Sequence, residues 1–375
     1  REVFIHGLVL DALGRKMSKS LGNGVDPIEV IESHGADSLR FMLVTGNTPG
    51  SDLRFHFEKL DGARNFINKL WNASRFVLLN LDDKVTTPEE PTGYELADRW
   101  ILSRYREIVV KTTNYLEAYE VGEAARVLYD FIWDEFCDWY IELAKPRLYR
   151  GTPAEQAIAR KVLRKVLGGT LRLLHPFIPF VTEEIWHHLE PGARPLIVQD
   201  WPADEPELAD PAAEEEMDRL IKIIRAVRHI RAEMNVPPGR RAEVILVVPD
   251  AGVRFLIEQN KSYVEELTKG TVTLVAELAE KPEQAAHAIT AGVEIYVPLG
   301  GLIDFEKERA RLAKELEAVA KELTRVQGKL ENPDFLAKAP AEVVAKERAK
   351  QAELSRKQEL LAGRLKMLGS EATAY

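Results

Sequence analysis

The apolar positions of the chain follow three successive rhythms. Residues 3–10, VFIHGLVL, form a nearly continuous apolar run, the pattern of a strand buried on both faces. Over 57–81 the spacing becomes helical: Leu60, Ala63, Phe66, Ile67, Leu70, Trp71, Ser74, Val77 and Leu78 trace one face, apolar except for Ser74. Further helices are predicted over 95–119, 121–145 and 153–174, the second carrying aromatic residues at bundle-core spacing between Phe131 and Tyr140. From Leu302 the steps alternate between three and four through Phe305, Arg309, Leu312, Leu316, Val319, Leu323, Val326 and Leu330, a heptad seam with one polar member. A second, more polar seam runs through Val344, Glu347, Gln351, Leu354, Gln358, Leu361, Leu365 and Leu368. With Pro333 and Pro340 between them, the two predict an antiparallel coiled-coil hairpin with arms about 40 Å long at 1.5 Å per residue.

Turn and cap residues punctuate this pattern. Asp26 and Pro27 start a short helix, and another is predicted over 36–44, where Asp37 and Arg40 are spaced for a local ion pair. The turn formers of 45–51 end the α/β pattern, and 82–93 reads as a polar loop. Residues 175–180 break a helix that restarts with Thr182 as its expected cap, and the Pro- and acid-rich stretch 191–211 reads as a linker. An amphipathic helix over 214–235 is followed by predicted strands at 242–248, 271–278 and 287–298, with a helix at 251–267 between the first two, a small α/β module. An opening strand buried on both faces needs sheet neighbours before it, so the chain is expected to be the C-terminal portion of a longer protein, cut inside a parallel α/β domain.

Length and charge narrow the class. A chain of 375 residues with 45% apolar content suggests two to four units. No apolar run reaches the roughly 18 residues that span a bilayer, and no basic-then-apolar leader is present. The single cysteine, Cys137, fits a reducing cytoplasm and reads as a small buried hydrophobe. A net charge of -9 argues against indiscriminate coating of nucleic acid, but residues 301–375 carry 15 Lys and Arg against 13 Asp and Glu, a mildly basic appendage on an acidic body.

Four places carry candidate chemistry. The stretch 14–24, GRKMSKSLGNG, sets Lys16 and Lys19 three residues apart among Ser18 and Ser20, with Gly14, Gly22 and Gly24 around them. Two cations and two hydroxyls on a glycine-bracketed loop suit a phosphate chain, against the alternative of a solvated turn. Asn65, Lys69, Asn72 and Phe76 line one side of the first long helix, offering amides for base edges, an ammonium for phosphate and a ring for stacking, against the alternative of an ordinary solvated face. Lys222, Arg225, Arg228 and Arg231 recur at three-residue steps, a solvated basic face or an RNA-facing stripe. Asp134, Glu135 and Asp138 lack the Glu-x-x-His partner of a carboxylate metal site, and adjacent His187 and His188 diverge on a helix, so no metal site is expected.

Lys16-Met17-Ser18-Lys19-Ser20, followed by Leu21-Gly22-Asn23, resembles the second signature of class I aminoacyl-tRNA synthetases. Residues 65–73 (NFINKLWNA), 136–142 (FCDWYIE) and 175–184 (HPFIPFVTEE) resemble the helical anticodon-binding domain of the valyl-tRNA synthetase family, and the terminal coiled coil is similar to the arm that distinguishes it. An isoleucyl relative would end in a zinc module needing several cysteines. The resemblance covers essentially the whole chain and implies a mainly α protein: residues 1–45 as the end of a Rossmann-like α/β catalytic domain, 46–210 as an α-helical anticodon-binding bundle, 211–300 as a small α/β junction, and 301–375 as an antiparallel coiled-coil tRNA-binding arm. It implies an ATP-dependent ligase, using Mg2+ with ATP, that activates valine and charges tRNA(Val). Such an enzyme is expected to be cytoplasmic and monomeric. Lys16 and Lys19 would be catalytic, with Ser18 and Ser20 supporting ATP; Lys69 and Phe76, then Asn65 and Asn72, are the expected tRNA contacts. The first class I signature, the valine pocket and the editing insertion do not occur in this chain, so alone it is expected to be inactive. The readings held beside this one are a noncatalytic RNA-binding or scaffold module, and an isoleucyl or leucyl relative.

Overall fold

In the computed structural model, which describes residues 3, 5–45, 50–81, 93–282 and 284–369, the chain divides into two units, Arg1–Asp218 and Arg219–Tyr375. The first unit opens with β1 (Val9–Leu10), α1 (Pro27–His34), α2 (Ala36–Val44) and β2 (Leu53–Arg54). Its helices continue as α3 (Phe57–Asn80), α4 (Leu96–Glu117), α5 (Val121–Asp130), a π-helical segment (Phe131–Tyr140), α6 (Ile141–Arg150), α7 (Pro153–Leu174) and α8 (Pro179–Leu189). The expected loop at 82–93 falls, except for Gly93, outside the described residues.

The apolar run at 3–10 forms a strand only at its last two residues, where Val9 and Leu10 pair in parallel with Leu53 and Arg54. Val3 and Ile5 are 88% and 73% exposed, not buried on both faces. Among the described residues β2 is the one strand beside β1, so no second sheet neighbour covers them. Asp26 caps α1 as expected, its Oδ1 accepting the Ile28 amide at 2.8 Å. On α3 the expected face is buried at Leu60, Phe66, Leu70 and Val77, and Ser74 is buried with it. Trp71 is 43% exposed, because it lies one 100° step round the helix from Leu70 at the edge of that face.

Asp37 and Arg40 do not pair with each other; both reach from α2 to the start of α8. Asp37 accepts the backbone N–H of Val181 at 2.7 Å and of Phe180 at 3.4 Å. Arg40 donates to the carbonyls of Pro176 at 3.0 Å and Phe177 at 3.2 Å. The α8 amides are therefore capped from another helix, while Thr182 sits inside the first turn with its hydroxyl donating to the Ile178 carbonyl at 2.8 Å. The expected cap was wrong because a tertiary partner supplies what a local side chain usually does. Burial raises the pKa of Asp37, opposed by the two amides it accepts.

A buried ion pair holds the bundle together. Asp98, wholly buried on α4, accepts both guanidinium nitrogens of Arg147 on α6, at 2.5 and 2.6 Å, and the Tyr140 hydroxyl at 2.8 Å. Its Oδ2 also accepts the Glu95 amide at 3.1 Å, closing a capping box at the start of α4. The helix predicted over 121–145 runs on to Arg150 with Pro146 inside it, and its middle turns are wound as a π-helix.

The division between units falls within α9 (Pro211–Glu233). The second unit contains β3 (Ala242–Val247), α10 (Ala251–Gln259), α11 (Lys261–Thr268), β4 (Gly270–Val275), β5 (Ala285–Thr290) and β6 (Val293–Pro298), its strands ordered β4-β3-β6-β5. Strands β3 and β4 run parallel across the α10–α11 crossover, and β6 lies antiparallel to both β3 and β5. The single strand expected over 287–298 is a hairpin, turned at Ala291 and Gly292, whose φ angles of 51° and 75° suit a two-residue primed turn. Beyond lie α12 (Phe305–Glu331), α13 (Pro333–Lys338) and α14 (Ala341–Gly369). Leu312, Val319, Leu323, Val326 and Leu361 bury the seam, and Lys329–Glu347, Lys350–Glu322 and Lys357–Glu315 pair at 2.7, 2.7 and 3.0 Å. Those partners ascend on one helix as they descend on the other, so the arms are antiparallel. The Leu368 side chain lies outside the described ones.

Arg147→Met leaves the Asp98 carboxylate buried without its counter-charge, and a loss of about 3 kcal/mol or more of unfolding free energy is expected in denaturant titration. A loss below 1 kcal/mol would show that the bundle does not lean on this pair.

Candidate phosphate loop and nucleic-acid interface

The lysine loop is closed at its base by a clasp between Asp11 and Asn23. Asp11 Oδ1 accepts the amides of Leu13 at 3.0 Å and Arg15 at 2.8 Å, and Oδ2 accepts Arg15 Nε at 2.8 Å and Asn23 Nδ2 at 2.9 Å. Asn23 also donates to the Lys16 carbonyl at 3.2 Å and accepts the Ser18 amide at 2.9 Å, so it grips the loop from both sides. The hydrogen bond from Asn23, then that from the Arg15 amide, holds the Asp11 carboxyl well below its usual range.

Within the clasp, Ser18 caps a 3-10 turn over Lys19–Leu21, its hydroxyl accepting the Leu21 amide at 3.3 Å and lying 3.2 Å from the Ser20 hydroxyl. Gly22 ends the turn at φ 60°, a left-handed conformation that favours glycine. Lys16 and Lys19 are exposed, and among the described residues neither ammonium has a hydrogen-bond or ion-pair partner. The backbone is thus fixed by side chains while both cations project free. Sequence reasoning found the lysines, serines and glycines but not Asp11. Its signal was a carboxylate just before a glycine turn, a residue type that satisfies local amides.

The α3 stripe is split. Asn65 and Asn72 are exposed. Lys69 is committed: its Nζ lies 2.7 Å from Asp138 Oδ1 and 3.8 Å from the Trp133 ring centroid. Trp133 stacks on Tyr129 at 5.5 Å, Tyr129 meets Phe66 at 4.9 Å, and Phe66 stacks on Phe41 at 4.8 Å, so an aromatic ladder runs from α2 to the π segment. Phe76 is half-buried, with Lys145 Nζ 5.5 Å from its ring centroid and paired to Glu142 at 2.5 Å.

The other candidates resolve into structure. Glu135 pairs with Arg104 and Asp138 with Lys69, and no cluster of three metal-binding side chains occurs among the described residues. Burial pushes the Cys137 thiol up to about 12, which disfavours the nucleophilic thiolate at neutral pH. His187 and His188 are exposed. On α9, Arg231 is buried and donates to the carbonyls of Arg240 at 2.8 Å, Pro237 at 3.2 Å and Lys269 at 3.4 Å, and Arg228 donates to the Leu267 carbonyl at 2.8 Å. Lys222 and Arg225 of that stripe are exposed.

Comparison with known proteins groups these features. Residues 1–56 match the family described as tRNA synthetases class I (I, L, M and V), 98–246 the anticodon-binding domain of tRNA ligase, and 304–369 the valyl tRNA synthetase tRNA binding arm. The chain is 56% identical over 99% of its length to a valine–tRNA ligase of Carboxydothermus hydrogenoformans, and 46% identical over 97% to that of Bacillus subtilis. It spans 42% of the length of each of these relatives.

Asn23→Ala removes the grip on Ser18 and Lys16, so amide exchange at residues 16–22 is expected to rise by at least about tenfold at neutral pH. Because the folded pKa of Asp11 is depressed, its contribution is present at neutral pH and lost as pH falls below the ordinary value of 3.8 towards the folded one. Acidification of the wild-type chain should therefore loosen the same amides. Unchanged exchange in both experiments would dissolve the clasp.

Proposed function

Since the chain belongs to the valine–tRNA ligase family, we propose that it supplies such a ligase with its ATP-phosphate loop and its hold on tRNA. The observation that carries this reading is the loop in which Asp11 and Asn23 fix the backbone and leave Lys16 and Lys19 unpartnered. Free cations on a held backbone are preorganised for anionic charge that develops elsewhere.

The reaction has two steps. A valine carboxylate oxygen attacks the α-phosphorus of ATP, the bond to the bridging oxygen breaks, and pyrophosphate leaves with the electron pair. A hydroxyl of the terminal tRNA ribose then attacks the valyl carbonyl, displacing AMP. Negative charge grows on the pyrophosphate oxygens in the first step. Lys16 and Lys19 lower the barrier to the extent that they bind that charge more tightly in the transition state than in ATP. Ser18 and Ser20 bring hydroxyls to the same edge, although the Ser18 hydroxyl also holds the turn. Mg2+ would accompany ATP on its phosphates; the loop has no spare carboxylate for it, since both oxygens of Asp11 are taken by protein donors.

The remaining segments take up the RNA. In this reading residues 1–45 close the catalytic domain, 46–210 bind the anticodon, 211–300 form a junction and 301–375 grip the tRNA body through backbone contacts that position it without reading sequence. Phe76 is the stacking surface for an unpaired base, with Lys145 beside its ring, and Asn65 and Asn72 are free to meet base edges. Lys69 contributes through its cation-π and carboxylate contacts, which set the shape of that face. Valine and tRNA(Val) are the proposed substrates, the enzyme acting as a cytoplasmic monomer.

In the full-length ligase carrying this chain, Lys19→Ala is expected to slow valine-dependent pyrophosphate exchange by at least tenfold, about 1.4 kcal/mol. An unchanged rate would remove Lys19 from the chemistry.

A further inference from the structure

A cleft of about 360 Å³ in the first unit shares no residue with the lysine loop or the α3 stripe. It runs along α7, where Arg160, Arg164, Gly168 and Arg172 fall at successive steps of four and so share one face of the helix. In the middle of that face Gly168 is buried, and a Cβ there would lie 3.5 Å from Leu189 and 3.7 Å from Trp186. Gly169 lets α4 come close: a Cβ there would lie 1.9 Å from the Tyr105 hydroxyl oxygen, so the Tyr105 ring can wall the cleft only because position 169 has no side chain.

The electrostatics are unbalanced. Among the described residues, Arg160, Lys161, Arg164, Lys165 and Arg172 line the cleft together with the carboxylates of Glu190 and Glu205. Arg164 pairs with Glu190 at 2.6 Å and Lys165 with Glu205 at 2.5 Å. Arg160 donates to the Asn80 carbonyl at 2.8 Å and to Gln156 at 3.2 Å, both neutral groups that leave its charge uncompensated. Arg172 is different in kind, since its Nε is buried with no hydrogen-bond partner. A buried charged donor left unmet is costly, and its cost is recovered when a ligand oxygen arrives. Burial pushes the Tyr105 hydroxyl up to about 12, so at neutral pH it remains a donor near the same charge. Leu81, Ala157 and Trp186 give the cleft apolar wall.

We propose that this cleft binds a phosphate monoester of nucleotide size, the phosphate meeting Arg172 and Arg160 and the organic part lying against Leu81, Ala157 and Trp186. The volume is larger than orthophosphate needs and within the range of small-ligand sites. A dianionic phosphate matches an excess of cations better than a singly charged backbone diester. Nucleic-acid backbones are usually followed by open charged grooves, not by a walled cleft with a buried guanidinium nitrogen such as Arg172 Nε.

Isothermal titration calorimetry of the 375-residue chain with AMP, and separately with orthophosphate, tests this. Saturable AMP binding is expected, tighter than that of orthophosphate, weakened at least about tenfold by Arg172→Gln and by Arg160→Gln and unaffected by Lys19→Ala. Thermal melting checks that each variant folds; if Arg172→Gln does not, the half-buried Arg160→Gln decides the question. The proposal is overturned if AMP does not bind at millimolar concentration, if both arginine variants bind it as the wild type does, if only Lys19→Ala abolishes binding, or if the arginine variants lose affinity for RNA alone.

Discussion

The first unit depends on how α2 is joined to α8. Asp37 caps the α8 amides and Arg40 closes on the two carbonyls just before them, so neighbouring residues of one helix satisfy donors and acceptors at the start of another. Each such group, buried and unmet, would cost about 1–3 kcal/mol. Because α2 follows the lysine loop by one short helix and α8 belongs to the helical bundle, this joint makes the loop and the bundle parts of one compact unit. The aromatic ladder from Phe41 through Phe66 and Tyr129 to Trp133 repeats the connection with apolar contact. The proposed phosphate loop and the proposed base-stacking face are therefore built on the same scaffold.

The two proposed working surfaces use charge in opposite ways. In the loop, the acidic partner stays on the backbone side: Asp11 spends its oxygens on amides, Arg15 and Asn23, which leaves both lysines without a local counter-charge. On α3 the cation is absorbed, with Lys69 held by Asp138 and the Trp133 face. The first arrangement suits binding of charge that grows during a reaction. The second suits a stiff, shaped surface on which stacking and amide hydrogen bonds discriminate.

Much of this was legible from periodicity and local chemistry. The heptad steps predict the packing of the arm because two helices have few other ways to bury an alternating three-four seam, and Asp26-Pro27 predicts its helix start because a cap acts within one turn. What escaped was tertiary substitution for a local rule. Thr182 had the right identity and place for a cap, but Asp37, distant in sequence, took that role; the spacing of Asp37 and Arg40 suggested an ion pair, but backbone groups at the start of another helix drew both away. Arg231 looked like part of a solvated stripe and instead holds three backbone carbonyls together. The 287–298 run hid a turn because Ala291 is an unusual residue for positive φ. In the candidate site, the lysines, serines and glycines advertise phosphate by type, whereas Asp11 has only the weaker signal of a carboxylate before a glycine turn and acts through the Leu13 and Arg15 amides and the Arg15 and Asn23 side chains. The role of the loop came from resemblance, since cations on a glycine turn are equally at home in solvent.

On the proposed reading, this chain carries the grip by which a ligase selects its RNA. The most direct measurement is the affinity of the chain, by fluorescence anisotropy at fixed salt, for a valine tRNA transcript and for the same transcript with its anticodon exchanged. Tighter binding of the unaltered transcript by at least about tenfold is predicted, with the difference abolished by Phe76→Ala. Equal affinity for the two transcripts would contradict the claim and leave the bundle and arm as a nonselective RNA-binding scaffold.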